Sequence, residues 1–122
     1  MHKYITMNIQ QIAGEVVKLI REGKNKQVKE TFYADYIVSV EGNGDKLEGI
    51  QAIYQKSIDW AAQVSEVHSA SVSEPLIAAD HFALNIKMDI SYKNGHRAVM
   101  DEIAVYEVNK GKVVFEQYFF KF

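Results

Sequence analysis

Three consecutive runs near the C-terminus constrain the fold more than anything else in the chain. They are FALNIKMDISY (82–92), RAVMDEIAVYEV (97–108) and KVVFEQYFF (112–120), joined by KNG and NKG. The first alternates without interruption. Phe82, Leu84, Ile86, Met88, Ile90 and Tyr92 project to one side, and Ala83, Asn85, Lys87, Asp89 and Ser91 to the other, the period of two that a strand imposes. Links ending in glycine fit three-residue hairpin loops with the glycine left-handed. That loop length pairs Tyr92 with His96 and Val108 with Lys112, so even positions stay with even positions through all three strands. Met88 then faces Met100, Ile86 faces Glu102, and Leu84 faces Ala104. On the next ladder Glu102 faces Tyr118, Ala104 faces Glu116, and Met100 faces Phe120.

The apolar face therefore carries two acids, Glu102 and Glu116, expected as diagonal neighbours with Cβ atoms roughly 7 Å apart. Ile86, Met88, Met100, Tyr106, Tyr118 and Phe120 surround them, and Ala104 leaves room beside them. Two buried like charges repel and lose hydration, so one of them is expected to hold a proton near neutral pH. Tyr106 and Tyr118 are available as hydrogen-bond donors. The pattern predicts a pocket in which Glu102 and Glu116 act as general acid and base or anchor a ligand. The odd-numbered face, with Val99, Ile103, Val105, Phe115 and Phe119, is too apolar to stay wet. It is expected to be covered by a second copy of the chain.

Helical patterns precede the strands. Ile9, Ile12, Ala13, Val16, Leu19 and Ile20 form a stripe over 8–22, ended at Gly23. A short helix is expected over 26–33 with Val28 and Phe32 inward. Another is expected over 49–63 with Ile50, Ile53, Tyr54, Ile58 and Ala61 on one side. YIVSV (36–40) and VHSASVS (67–73) read as strands, and EGNGD as a turn. Helices first and a meander last indicate a single α+β domain over 1–122, not a parallel βαβ sheet.

The chain has 122 residues, no cysteine and a net charge of −2. Disulfide and thiolate chemistry are excluded. The basic cluster 21–26 reads as a solvated helix end, so nucleic acid is not an expected partner. MHKYITMNIQQ lacks a signal-like apolar run and nothing approaches a membrane span, so a cytoplasmic protein is expected. His2, His68, His81 and His96 have no metal-ligand spacing. No catalytic Ser-His-Asp constellation and no phosphate or dinucleotide loop is present. Trp60 and His68 are candidate cavity-lining residues.

FYADYIVSVEGNG, GIQAI on a helix followed by Trp60, DHFALNIKMD and MDEIAVYEVNKGKVVFEQYFF together resemble the SnoaL-like proteins of the nuclear transport factor 2-like superfamily, over residues 8 to 122. The resemblance implies a curved antiparallel sheet forming a conical barrel with an internal pocket, three helices packed on it, and a homodimer formed through the sheet. It implies a cofactor-free cyclase, isomerase or dehydratase acting on an apolar carbonyl compound, or a non-catalytic ligand-binding or sensory domain. In the ketosteroid isomerase branch a carboxylate base follows the YAD-like segment, and that position falls at or next to Glu41. The branch's oxyanion-binding acid falls on Ala104 and its tyrosine near Val17, so the resemblance implies no steroid isomerase site.

Overall fold

Asn8 opens the first helix. Its side chain accepts from the Gln11 backbone N–H at 2.8 Å, and the Gln11 side chain accepts from the Asn8 N–H at 2.9 Å, a reciprocal capping box. The helix, α1 (Ile9–Arg21), buries Ile12, Ala13, Val16, Val17 and Leu19. It ends where Gly23 adopts φ 74°. There Gly23 N–H bonds Ile20 O at 3.0 Å and Lys24 N–H bonds Leu19 O at 2.8 Å, the Schellman arrangement that only a left-handed residue permits cheaply. This computed structural model describes residues 7–120; the expectation resting on the first six residues lies outside that range.

After α1 come α2 (Asn25–Phe32), β1 (Tyr33–Val40), β2 (Lys46–Glu48), α3 (Ile50–Gln63), β3 (Val64–Val72), β4 (Leu76–Ala78), β5 (His81–Tyr92), β6 (Arg97–Asn109) and β7 (Lys112–Phe119). The class is α+β, with three helices on a curved sheet, as expected. Strand order is β2-β1-β7-β6-β5-β3, with β4 attached to β5. Two features of the expected barrel are corrected. The sheet is mixed, because β1 lies parallel to β7. It is also open, because β2 and β3 are its edges and do not pair with each other. The antiparallel pairs follow from short turns. The β1–β7 pair joins distant segments, whose relative direction no local turn dictates.

The loop between β5 and β6 is as expected. Gly95 has φ 90°, Tyr92 N–H bonds His96 O at 2.8 Å, and Met88, Ile86 and Leu84 face Met100, Glu102 and Ala104. The next loop differs. Asn109 pairs directly with Lys112, leaving a two-residue turn in which Lys110 and Gly111 have φ 51° and 78°, the signs of a type I′ turn. A bulge follows, since Val108 faces Val113 but Glu107 faces Phe115, so Val114 has no opposite residue. The shorter turn and the extra residue together move the register by two. Ala104 faces Tyr118 and Tyr106 faces Glu116, correcting the expected Glu102–Tyr118, Ala104–Glu116 and Met100–Phe120 pairs. Parity survives, so both acids remain on the even-numbered face. They are four steps apart along the ladder, roughly 13 Å, rather than diagonal neighbours.

A lysine with positive φ is strained. Lys110→Asn is expected to raise stability by about 0.5–1 kcal/mol, because asparagine tolerates this turn position. A urea midpoint lower than that of the parent protein would contradict the turn assignment.

Val28 and Phe32 are buried on α2 as expected. On α3 the inward stripe is shorter than expected: Ile53 is the buried residue, while Ile58 is 62% exposed and Ala61 is also exposed. The cause is position, since this half of the helix lies near edge strand β3, itself exposed along most of its length. On the odd-numbered face of the sheet, Val99 is 69% exposed, Phe119 51% and Ile103 42%.

Candidate functional site

Glu116 is the one fully buried acid among the described residues. Burying a carboxylate is costly unless its lone pairs are satisfied, and this one is met by three hydroxyls. Ser39 Oγ donates to Oε1 at 3.0 Å, Tyr118 OH donates to Oε2 at 3.0 Å, and Tyr33 OH also donates to Oε2. Each donor has a structural origin. Tyr118 follows Glu116 by two on β7 and so shares its face. Ser39 lies directly opposite Glu116 in the parallel β1–β7 pair. Tyr33 is brought in by an irregularity in β1, where Tyr33 pairs with Val113 but Val38 already pairs with Phe115. Tyr106 faces Glu116 from β6 and stacks on Phe82 with ring centroids 4.7 Å apart.

Burial first, and then the Glu116 carboxylate, push the phenols of Tyr33, Tyr106 and Tyr118 well above the ordinary tyrosine value. They are held as neutral hydroxyls that can donate.

A second layer of charge lies around this group. Lys56, from the middle of α3, forms an ion pair with Glu41 and places its Nζ 4.8 Å from the centre of the Tyr118 ring. Glu102 is half-buried on β6. Burial pushes its carboxyl up to about 6; Lys56 opposes the rise, and Glu41 and Glu116 add to it. Lys29, from α2, is half-buried too. Burial lowers its ammonium from the usual lysine value, Glu116 works against that, and Lys56 adds to it.

Of the residues singled out from the sequence, Tyr106 and Tyr118 lie at Glu116 and Glu41 is linked to Tyr118 through Lys56, whereas Glu102 lies on the same face four ladder steps from Glu116. Met88 and Met100 face each other further along the same side, half-buried. Trp60 is half-buried on α3. Phe120 packs on Gly42, where an added Cβ would lie 2.4 Å from its ring. His68 is not brought in. It bonds Ser91 Oγ at 2.7 Å, and Ser91 is an odd-face residue of β5, so the expected cavity-lining position is corrected. The bulge in β3 between Val67 and Ser69 is what turns it. Ala104 and Val17 are buried core residues.

Ser39, Lys56 and Lys29 were missed, and for Tyr33 the sequence left cavity lining and plain core equally open. The alternation Ile37, Ser39, Glu41 carried a signal for Ser39, because a serine at an inward strand position needs a partner. Glu116 is buried among its hydroxyl partners. Two open clefts lie elsewhere: one of about 430 Å³ beside Gln63, Tyr92, Lys93 and His96, and one of about 290 Å³ beside Ser71, Lys87, Asp89 and Val99.

Three helices laid on an open curved sheet place the chain among small α+β proteins. The SnoaL-like domain profile matches residues 7–120, and the chain belongs to that family. A solved SnoaL-like protein from Mesorhizobium loti, provisionally described as a polyketide cyclase, shares 37% identity and superimposes with a TM-score of 0.86 over 93% of this chain and 99% of its own. A protein from Jannaschia sp. CCS1 with the same provisional description shares the fold at 13% identity and TM-score 0.78, over 99% of this chain and 92% of its own. So does a hypothetical protein with a ketosteroid isomerase-like fold from Catenulispora acidiphila, solved with trimethylamine, at 14% identity and TM-score 0.70, over 89% and 84% of the two chains. Among curated proteins none matches. No helix among the described residues is long and apolar enough to cross a membrane.

Proposed function

We propose that this protein binds a small, largely apolar carbonyl compound on the even-numbered face and moves a proton on it without a cofactor, as a cyclase, isomerase or dehydratase does. The observation that carries this reading is Glu102, half-buried and pushed up to about 6, on the same face as Glu116 but four ladder steps from it and under the influence of Lys56 and Glu41. A base that titrates close to neutrality is suited to taking a proton from carbon next to a carbonyl. Glu102 is the proton carrier. Glu116 orients Tyr33 and Tyr118, and Lys56 supports the negative charge that develops on the carbonyl oxygen. Glu41 holds Lys56 in place and is the lesser acid/base candidate. Exchange of the α-protons of α-tetralone in heavy water, followed by proton NMR, tests this. Exchange catalysed by the parent protein and lost in Glu102→Gln supports the reading; equal exchange in both proteins removes Glu102 from it.

A second reading is a ligand-binding or sensory domain without chemistry, favoured by a buried carboxylate whose oxygens are taken up by Tyr33, Ser39 and Tyr118 and are not free for proton transfer. In that case native mass spectrometry finds a retained ligand and no ketone exchanges.

The exposed odd-numbered face supports a homodimer formed through the sheet. Ile103→Lys places a charge in that apolar face and is expected to convert the dimer to a monomer in gel filtration at micromolar concentration. A parent protein that already elutes as a monomer would contradict the dimer.

A further inference from the structure

β3 is interrupted at His68. Val67 pairs with Ile90 and Ser69 with Asp89, so His68 has no residue opposite it. A bulge of this kind re-aims a side chain, and the imidazole Nε2 lies 2.7 Å from Ser91 Oγ. On the other side of the ring, Nδ1 is 3.7 Å from Glu66 Oε2. Glu66 pairs directly with Ser91 across the β3–β5 ladder, which is why the three side chains converge. The His68 side chain is only 24% exposed. A carboxylate at Nδ1 favours the tautomer with its proton there, leaving the Nε2 lone pair to accept from the serine hydroxyl. Arg97 faces Ser91 from β6. It donates through Nε and Nη2 to Asp89 at 3.0 and 2.9 Å, so Nη1 has no acceptor among the described residues. Asp89 is two residues from Ser91 and shares its face of β5. Asp89 and Ser69, the neighbour of His68, both line the open cleft of about 290 Å³, so space for a short acyl chain adjoins the serine.

We propose that Ser91 is a nucleophile for small, unhindered esters, with His68 as its general base, Glu66 orienting His68 and Arg97 donating to the oxyanion. This site is on the face of the sheet opposite to Glu102 and Glu116. Ser91 Oγ attacks the acyl carbon while its proton passes to His68 Nε2. The tetrahedral oxyanion accepts from the free N–H groups of Arg97. The bond to the alcohol oxygen then breaks, and the alcohol leaves with the proton from His68. The acyl group remains on Ser91 as an ester. Water, deprotonated by His68, hydrolyses that ester to the carboxylic acid and restores the serine. No oxidant or reductant is needed. Asn85, opposite Ile103, is six residues along β5 from Ser91, about 20 Å, so a partner subunit centred on Ile103 need not cover the serine.

p-Nitrophenyl acetate is the probe. The full chain is expected to release p-nitrophenol in a burst of about one equivalent per chain, followed by slower turnover. Peptide mass spectrometry of acid-quenched protein should place the acetyl group on Ser91. Ser91→Ala and His68→Gln should each slow the burst about 10²-fold, the lower end of what a positioned base contributes. Glu66→Gln should slow it less and keep the acetyl group on Ser91. Nitrogen-15 shifts of the His68 ring should show the proton on Nδ1 in the parent and a mixture of tautomers in Glu66→Gln, which a merely structural glutamate would not produce. Acetylation confined to lysines, or a burst that survives Ser91→Ala, overturns the proposal. So does a neutral His68 ring in the parent with its proton on Nε2. The peptide map on the parent protein decides even if a variant fails to fold.

Discussion

Glu116→Ala is expected to lose about 3–5 kcal/mol of stability, the cost of breaking a buried charged network by removing one member. The substitution strands the hydroxyls of Tyr33, Ser39 and Tyr118, which all donate to this carboxylate, and leaves a void between β1 and β7. Against a total of about 5–15 kcal/mol for a domain, the variant would be close to unfolding. Glu116→Gln should be far milder, about 1–2 kcal/mol, because one oxygen still accepts and the hydroxyls can rotate to accept from the new amide. Urea unfolding of the three proteins measures both steps. An alanine variant within about 1 kcal/mol of the parent would mean that water reaches the three hydroxyls, and the site would then be a wet pocket and not a packed one.

Glu102→Gln is expected to lower proton-transfer activity by about 10²–10⁴-fold, the usual contribution of a positioned acid or base, while making the protein more stable at neutral pH. The sign follows from the direction of the shift. Burial raises the Glu102 carboxyl from an ordinary 4.5 to about 6, so the folded state disfavours the charged form. This cost is absent below about 4.5, grows between the two values and is complete above about 6. The difference corresponds to about 2 kcal/mol before allowing for the exposed part of the side chain, and about 1 kcal/mol after it. Urea midpoints of the parent and variant should coincide near pH 4.5 and separate by pH 7.5, with the variant higher. A variant less stable than the parent at pH 7.5 would show that Lys56 outweighs burial at this position. The activity of the parent should rise with pH through about 6 as the base ionises.

Most of the architecture could be read from local signals. The alternation of residues 82–92 and the Lys93-Asn94-Gly95 loop set the β5–β6 register, and with it the position of Glu102 opposite Ile86. The second loop misled because its first left-handed position holds a lysine, the residue type that normally argues against such a turn. Asn109 was therefore counted into the loop, and the bulge at Val114, with no mark of its own, restored the parity that the shorter turn had changed. Faces were right and partners wrong for that reason. Glu116 itself was legible as an acid in an apolar strand. Of its donors only Tyr118 was, because Tyr33 and Ser39 arrive through a parallel pairing between distant segments. The two lysines come from separate helices, where a lysine beside apolar positions reads as an ordinary solvated side chain.

The same pairing bears on how the protein folds. Tyr33 and Glu116 are 83 positions apart, and the strands that carry them meet only after nearly all the intervening chain has been gathered. Contacts this distant in sequence raise contact order and delay folding, because the entropy of closing the long loop is lost before the contacts form. The β5–β6 hairpin can form early from local contacts, but Glu116 must remain hydrated until β1 docks on β7. Dehydration of the acid and delivery of its hydroxyl donors therefore belong to one late step, and an intermediate lacking β1 would have a complete hairpin and no site.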